Sequence, residues 1–344
     1  QGILNLACET ALGTDFGLPS VEGFDKTGLY YMYIRGNSGK RFNYSDSGEK
    51  NEASIGLWYM AYKLNKGYYL YQDISRLDDG SFCTEHYAFL ALTCCHRLGA
   101  DDLYLAVKGG EANISHAHLD VGEVVFDAYG TRWMKDFTYS TDYGECRSLL
   151  LASGLSADEL GNREQDSWRW KFFQYHNLRH STLTIDMKPH WPYGIAEITK
   201  KSDDTRLGGY VDLTNAFYNQ LKTGNRTAVI RDGSFLEITD VLTALDGKSA
   251  SVRWTCASDA EPSVVADGIV LTDVNGVRMK ISTTAPGAKF SVWSTDPAKS
   301  EDYKSPFTET ETLHQNPLDG YLCGFEYVIP AGTKVTAVTT LKKI

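Results

Sequence analysis

Two histidines separated by one residue, with an aspartate close behind them, form the pattern in this chain that most clearly suggests chemistry. His116 and His118 are followed by Asp120. Asp136 comes after an apolar run, and a third histidine, His180, lies much further along the chain. Imidazole and carboxylate groups are ligands that a zinc ion prefers, and one imidazole would remain for proton transfer. The set therefore indicates a metal site, a catalytic site or both.

The predicted strands around these residues explain how they would meet. Apolar runs on either side of a Tyr-Gly turn predict a hairpin over residues 123–134. If the segment before it is extended, the two histidines and Asp120 project to one side, because side chains alternate along a strand. Asp136 follows the second strand of the hairpin and returns to the same rim. His180 opens a later predicted strand, from which it would reach the others across the sheet.

The rest of the chain predicts a mainly β protein. Residues 1–77 are expected to be helical with loops, since apolar residues at 52–66 recur with a period near 3.6. From residue 78 onward, short apolar or alternating runs are separated by Gly, Asp and Asn, which is typical of strands. The further strands are predicted at 103–108, 181–186, 194–200, 209–213, 226–231, 235–241, 252–256, 268–271, 277–281, 289–293, 324–329 and 334–340. Residues 78–344 are therefore predicted to form a large antiparallel β-sandwich.

Composition excludes several classes of function. The chain has 344 residues and a net charge of −10 without a basic run, which argues against a nucleic-acid partner. It contains no run of 18 apolar residues, so no membrane span is expected. The seven cysteines include no C-x-x-C pair, which excludes a cysteine zinc ribbon and leaves the disulfide state open. The 21 tyrosines and 7 tryptophans fit either a sandwich core or stacking on sugar rings. The oligomeric state stays open.

Several segments resemble one family. Residues 109–122 (GGEANISHAHLDVG), followed by 125–133 (VFDAYGTRW) and Asp136, resemble the signature of the heparinase II/III family of polysaccharide lyases. Residues 179–183 (RHSTL) resemble the His-Asn-Thr strand of that family, with serine in place of asparagine. Residues 42–48 (FNYSDSG) resemble a loop from the last part of its helical domain.

The resemblance implies an α/α toroid followed by a β-sandwich, with the active cleft between them. It implies β-elimination at a 4-O-linked uronic acid of an acidic polysaccharide, with heparin or heparan sulfate as the first choice and alginate or another polyuronide behind it. Residues 1–77 are too few for a toroid. We therefore expect the end of the toroid plus the sandwich, with the other half of the site before Gln1. A bacterial, periplasmic or secreted glycosaminoglycan lyase is implied.

Roles follow from the same resemblance. His116 would lie in the cleft, either neutralising the uronate or acting on the base side. His118, Asp136 and His180 would bind a structural zinc ion, because elimination needs no metal-activated water. Asp120 has two interpretations: a carboxylate that orients a histidine, or a structural hydrogen-bond acceptor.

Other candidates depend on position alone. Tyr143 and Tyr139 follow Asp136 closely enough to reach the cleft and donate to a sugar oxygen, and simple packing is the alternative for both. Tyr143 is the catalytic candidate and Tyr139 a substrate-binding one. Arg147 is a candidate for binding a carboxylate or sulfate, with a solvated side chain as the alternative. His176 is a rival to His180 as a metal ligand. Three further arginines are weaker anion-binding candidates: Arg163, Arg169 and Arg179.

Two other functions are compatible with the pattern. A non-catalytic, metal-stabilised glycan-binding sandwich would bind a polysaccharide without cleaving it. A cupin-like metal enzyme also uses His-x-His on a β-scaffold, but it requires an open metal position and usually a nearby glutamate ligand. No glutamate stands at the expected spacing, so the cupin-like alternative ranks last.

Overall fold

The protein begins with helices and continues into three β-sheets. A computed structural model describes residues 2–50, 55–67, 80–83, 93–98, 103–137, 140–203 and 206–344. The first helices are α1 (Gly2–Leu12), α2 (Phe24–Tyr33) and α3 (Ile55–Lys63). Helix α3 lies inside the helix predicted over residues 52–66. No helix in the described part of the chain is long and apolar enough to cross a membrane.

The first sheet is an antiparallel meander of five strands. Its order follows the sequence: β1 (Gly80–Cys83), β2 (Thr93–Leu98), β3 (Leu103–Lys108), β4 (Val124–Ala128) and β5 (Thr131–Met134). Tyr129 and Gly130 connect β4 to β5 with φ angles of 54° and 78°. Two successive positive φ angles are the geometry of a tight type I′ hairpin turn. The hairpin predicted over residues 123–134 is confirmed.

Two further antiparallel sheets complete the sandwich. An eight-stranded sheet has the order β12-β13-β14-β17-β10-β9-β8-β7, and a four-stranded sheet has the order β15-β16-β11-β6. Their strands are β6 (Leu183–Ile185), β7 (Ile198–Asp203), β8 (Arg206–Asp212), β9 (Leu221–Arg231), β10 (Phe235–Ala244), β11 (Ala250–Ser258), β12 (Glu261–Val265), β13 (Gly268–Thr272), β14 (Arg278–Thr283), β15 (Lys289–Trp293), β16 (Tyr321–Ile329) and β17 (Lys334–Lys343). The predicted mainly β, antiparallel sandwich is confirmed.

All three sheets share one hydrophobic core. Phe126 and Trp133 from the first sheet, Leu236 from the eight-stranded sheet and Trp254 from the four-stranded sheet belong to a single buried cluster. Each of these side chains is at most 1% exposed. Because their apolar surface is removed from water on folding, this core supplies the main stabilisation of the sandwich.

The helical segment packs on the outer face of the first sheet. Ile34 and Phe42 form a buried cluster with Tyr104 and Ala106 of β3 and Val125 of β4. This packing fixes the start of the loop at residues 42–48. The loop therefore lies against the part of the chain that carries the His-x-His pattern.

One element of the region between the sheets was not predicted. Helix α4 (Tyr143–Ala152) begins with a capping box, in which Asp142 accepts a hydrogen bond from the Gly144 backbone and Glu145 accepts one from the Asp142 backbone. This reciprocal arrangement satisfies backbone donors that a helix start otherwise leaves without a partner. Residues 157–160 and 168–171 then form short 3₁₀ turns.

Candidate catalytic cleft and metal centre

The His-x-His segment is an irregular loop, so the extended conformation expected for it is wrong. His116 has a φ of 66°, in the left-handed region, which interrupts the alternation of side chains along a strand. Its side chain is 76% exposed, whereas the His118 side chain is fully buried. Asp120 is also fully buried. The two histidines therefore face different surroundings, one in solvent and one in the protein interior.

Both histidines nevertheless contact the same carboxylate, that of Asp46. Its Oδ2 lies 2.9 Å from His116 Nδ1, and its Oδ1 lies 2.8 Å from His118 Nε2. Burial raises the pKa of Asp46, but the hydrogen bond and charge of His118 and the charge of Arg169 lower it more, to about 2. An ionised carboxylate only accepts hydrogen bonds. Each facing ring nitrogen therefore carries its proton.

A cleft of about 270 Å³ opens at His116. Its walls come from the loop at residues 42–48 and from the His-x-His loop. The lining residues are Tyr44, Ser45, Asp46, Ser47, Ile114, Ser115, His116 and Ala117. Because Asp46 accepts a hydrogen bond from Nδ1 of His116, the lone pair of a neutral His116 ring lies on the other nitrogen, Nε2.

The structure brings His118, Asp136 and His180 together behind the cleft. One ligand atom from each lies within 4.8 Å of the others, and all three residues are completely buried. The ring centroids of His118 and His180 are 5.4 Å apart. A second such group overlaps the first, because Asp120 and Glu123 also place a carboxylate oxygen within 4.8 Å of Asp136 and His180.

Several polar atoms in this cluster have no hydrogen-bond partner although they are buried. They include both carboxylate oxygens of Asp136, Nε2 of His180 and Oε2 of Glu123. The 2.9 Å contact of His180 Nδ1 with Asp136 Oδ1 does not have hydrogen-bond geometry. Buried polar atoms are nearly always paired. One imidazole nitrogen and two carboxylates with unpaired donor atoms fit a bound divalent cation, and this donor set suits zinc. His118, by contrast, has a partner at each ring nitrogen.

Arg179 shows which nitrogen of His118 carries no proton; a metal ion bound at that nitrogen would replace the Arg179 hydrogen bond. The Arg179 guanidinium only donates, and its Nη2 lies 3.0 Å from His118 Nδ1, so that nitrogen has no proton. Nε2 then carries the proton and donates it to Asp46. A carboxylate on the far side of a ligating imidazole fixes its tautomer and orientation in metal sites. Asp46 stands in that position relative to His118.

The protonation states of the cluster depend mainly on burial. Burial lowers the pKa of His180, and the charge of Arg179 lowers it further, so the imidazole is neutral. Burial also raises the pKa of Asp136 to about 6, although Arg179 Nη1 lies 3.4 Å from its Oδ1 and acts in the opposite direction. Metal ligands must be deprotonated. A cation bound here would itself favour the ionised form of Asp136.

Asp120 has its own partners. Its Oδ1 lies 2.5 Å from Lys108 Nζ, and its Oδ2 accepts hydrogen bonds from the Ser45 backbone at 3.0 Å and the Ser45 hydroxyl at 2.9 Å. Burial raises the pKa of Asp120. The charge and hydrogen bond of Lys108, together with His180 and His118, outweigh burial, so the net shift of the pKa is downward. These contacts favour the structural interpretation of Asp120: it ties the loop at residues 42–48 to strand β3.

Glu123 supports His180 in a similar way. Its Oε1 lies 3.2 Å from His180 Nδ1 and accepts a hydrogen bond of 3.2 Å from the Ser181 backbone. Burial raises the pKa of Glu123, and the nearby charges of Asp136 and Asp120 raise it further. Sequence reasoning missed Glu123, Lys108 and Asp46 as members of the site. Only Asp46 had a signal, because it belongs to the loop whose family resemblance stood out.

The other predicted site residues lie elsewhere or outside the described residues. Tyr143 and Arg147 are exposed on helix α4, whose buried face carries Cys146, Leu149 and Leu150. Neither of the two lines the cleft at His116 as the structure describes it, and their roles stay predictions. Tyr139 lies outside the described residues.

His176 and two of the arginines have structural partners. His176 Nδ1 accepts a hydrogen bond of 3.1 Å from the Leu178 backbone, and within the described ranges no group able to hold a metal includes it. Arg169 is buried, donates to the Ala117 carbonyl at 2.8 Å and stacks 4.1 Å from the ring centroid of Tyr175. Arg179 is completely buried. Neither Arg169 nor Arg179 is a solvated side chain.

Comparison with known proteins identifies the class. The family model described as heparinase II/III-like, C-terminal, matches residues 86–316, which is most of the chain. The chain therefore belongs to this family, and the resemblance in the sequence is confirmed. No curated protein matches the sequence at a significant level.

Solved structures of two lyases have the same fold. Heparan sulfate lyase HepC from Pedobacter heparinus is 13% identical, with a TM-score of 0.69, and the match covers 99% of this chain and 49% of that one. Heparinase III is 11% identical, with a TM-score of 0.72, and the match covers 100% of this chain and 52% of that one. The chain thus spans about half the length of the lyases that it matches.

Proposed function

We propose that this protein is a polysaccharide lyase that cleaves a uronate-containing acidic glycan by β-elimination, with heparan sulfate or heparin as the first choice. One observation carries the proposal. His116 is exposed in a cleft, where its Nδ1 is hydrogen-bonded to Asp46. The same carboxylate contacts His118, which belongs to the buried group of candidate metal ligands. Family membership supports the class of reaction. Uronate-containing glycans such as heparan sulfate lie outside the cell that degrades them, so we also propose a periplasmic or secreted bacterial enzyme.

The geometry of His116 suits a base. β-Elimination removes the proton from C5 of the uronate, forms a double bond between C4 and C5, and breaks the bond from C4 to the leaving oxygen. In the neutral ring, Nε2 of His116 takes the C5 proton, and the carboxylate of Asp46 at Nδ1 stabilises the imidazolium that results. The Asp46 contact also fixes the direction of the ring, which is otherwise mobile in solvent.

A proton donor for the leaving oxygen completes the reaction. Tyr143 is the tyrosine predicted from the sequence. Tyr44 is a second candidate, because it lines the cleft beside Asp46, with its hydroxyl 2.8 Å from the hydroxyl of Tyr30. A phenol close to a second phenol can deliver its proton while accepting a hydrogen bond in return. Comparing Tyr44→Phe with Tyr143→Phe separates the two candidates.

We propose that His118, Asp136 and His180 hold a structural zinc ion. These residues would hold the ion between the His-x-His loop, the end of β5 and the segment that enters β6, which a bound zinc ion would cross-link. All three residues are completely buried behind His116, and a C5 elimination needs no metal-activated water. The expected effect of the ion is to hold the loop that carries His116 in place.

The test is the appearance of unsaturated uronate. The full-length protein is incubated separately with heparan sulfate, heparin and alginate, and ultraviolet absorbance of the new C4=C5 bond is followed. We expect a signal with at least one of the three, and its loss in His116→Ala. Binding without any absorbance would instead support the non-catalytic glycan-binding sandwich. No absorbance with any uronate polymer would contradict the lyase assignment.

A further inference from the structure

An aromatic surface outside the cleft lies on the sandwich near the loop that carries His116. The ring centroid of Trp191 is 5.2 Å from that of Tyr193 and 5.6 Å from that of Tyr218. Tyr193 is 36% exposed and Tyr218 is 57% exposed. With Gly194, Ile195 and Asn215, these side chains line a concave surface of about 210 Å³. Large aromatic rings at the surface of a sandwich contrast with the buried tryptophans of its core.

The backbone beneath these rings is held firmly. The Trp191 backbone donates to the Ala216 carbonyl at 2.8 Å, which joins the two segments that carry the rings. Gly194 lies directly against Asn215: a Cβ at position 194 would stand 2.2 Å from the Asn215 carbonyl oxygen, so a side chain cannot be accommodated. The concave surface is therefore formed before any ligand arrives, and binding would lose little entropy of ordering.

Backbone hydrogen bonds join the segment that carries the aromatic rings to the segment that leads into the cleft. Both the Ala112 and the Asn113 backbones donate to the Pro192 carbonyl, at 3.1 Å and 2.8 Å. Pro192 lies between Trp191 and Tyr193. Asn113 is three residues from His116, so the chain between them spans at most about 11 Å. A polymer bound at His116 and running along this segment would reach the aromatic surface.

The chemistry of the surface suits a sugar ring. A pyranose has an apolar C–H face that packs on aromatic rings and a rim of hydroxyl groups that needs polar partners. The three rings supply the aromatic surface for the C–H face, and Asn215 at the edge supplies an exposed amide for the hydroxyl groups. A protein chain would need a much larger apolar patch for stable docking.

We propose that Trp191, Tyr193 and Tyr218 form an accessory binding surface for a pyranose ring of the same glycan chain whose uronate occupies the cleft at His116. This inference rests on the proposed function in taking the ligand to be that glycan. It implies that affinity increases with the length of the glycan, because only a longer chain occupies both places.

The test compares long and short ligands. Tyr193→Ala with Tyr218→Ala removes the two exposed rings and leaves the half-buried Trp191 in place. Tyr129→Ala is the matched control, because Tyr129 is 39% exposed and lies at the β4–β5 turn. That turn is at the opposite end of β4 from Gly122 and the His-x-His loop that precedes it. Binding of polymeric heparan sulfate, heparin and alginate, and of a disaccharide from each, is measured by calorimetry, with thermal unfolding as the check on folding.

We expect the double variant to bind its preferred polymer at least about tenfold more weakly, since losing two stacking contacts costs more than 1.4 kcal/mol. Disaccharide binding, thermal midpoint and the Tyr129→Ala control should stay as in the unchanged protein. Polymer affinity within about twofold of the unchanged protein would overturn the inference, as would a failure of the unchanged protein to bind any of the polymers. Weakened binding of a polymer that is never cleaved would keep the accessory surface and reject the lyase.

Discussion

His118 Nε2 and Asp46 Oδ1 are 2.8 Å apart, and the other oxygen of the same carboxylate holds His116. One carboxylate thus links two imidazoles. One is buried beside the other candidate metal ligands, Asp136 and His180, and the other is exposed in the cleft. Because Asp46 accepts from both rings, it fixes the tautomer of each. The two histidines of the His-x-His pattern therefore differ in burial but share one carboxylate.

Replacing the shared carboxylate should weaken metal binding without unfolding the protein. Asp46→Asn keeps the size of the side chain, but its amide group donates toward a ring nitrogen that already carries a proton. We expect zinc affinity to fall by about 10–100-fold, as for other partners of ligating histidines. Competition with a chelator measures the affinity. Asp246→Asn is the control, because Asp246 is 76% exposed in a surface pair with Lys222. Equal affinities in the two variants would refute this role for Asp46.

The buried pair of Lys108 and Asp120 should matter far more to stability than a surface pair. Lys108→Met leaves the Asp120 charge buried with only the Ser45 hydrogen bonds to stabilise it. Removing one partner of such a buried pair costs about 3–5 kcal/mol. Lys222→Met breaks the exposed pair with Asp246, which is worth about 0–1 kcal/mol. Urea unfolding compares the two variants. Similar losses in both would show that the Lys108 pair does not stabilise the loop at residues 42–48.

Stability should decrease as the pH falls from about 6.5 to about 4, in part because of His190. Burial lowers the pKa of His190 to about 4, and its hydrogen bond to the Leu183 carbonyl offsets only part of that shift. Between these pH values the unfolded chain binds a proton that the folded protein excludes, so the free energy of unfolding falls with pH, by about 3 kcal/mol for this group. His176, with a pKa of about 3 caused mainly by burial, acts in the same direction.

The measurement for His190 is urea unfolding at pH 7, 5.5 and 4.5, for the unchanged protein and for His190→Gln. The variant should be less stable at pH 7, because it replaces a well-packed ring that contacts Phe217. Its free energy of unfolding should nevertheless depend less steeply on pH in this range. An unchanged slope would show that His190 is not the group that takes up the proton.

Much of the fold follows from local sequence patterns. Strand β15 (Lys289–Trp293) has the predicted bounds, and the β4–β5 hairpin was indicated by its Tyr-Gly turn. Strand β12 was not predicted. It contains Pro262, which is tolerated because β12 lies at the edge of its sheet. Helix α4 has a readable signal in the sequence, the Asp-x-x-Glu capping box at residues 142–145.

The site was only partly predictable, for a physical reason. The sequence pattern pointed to His118, Asp136 and His180, which lie together in the structure. Asp46 contacts His118 from a loop 72 residues earlier in the chain. That contact depends on how the helical segment packs on the first sheet. Glu123 and Lys108 are charged residues at buried positions. Charged residues are rarely buried unless they have partners, and those partners become visible only in the tertiary structure.

The two histidines give the most direct test of the account. Zinc content and thermal midpoint are measured for the unchanged protein, His116→Ala and His118→Ala, each purified under the same conditions. We expect about one zinc ion per chain in the unchanged protein and in His116→Ala, with similar midpoints. His118→Ala should lose the ion and unfold at a clearly lower temperature. Loss of zinc in both variants, or in neither, would contradict the assignment of His118 to the metal and His116 to the glycan.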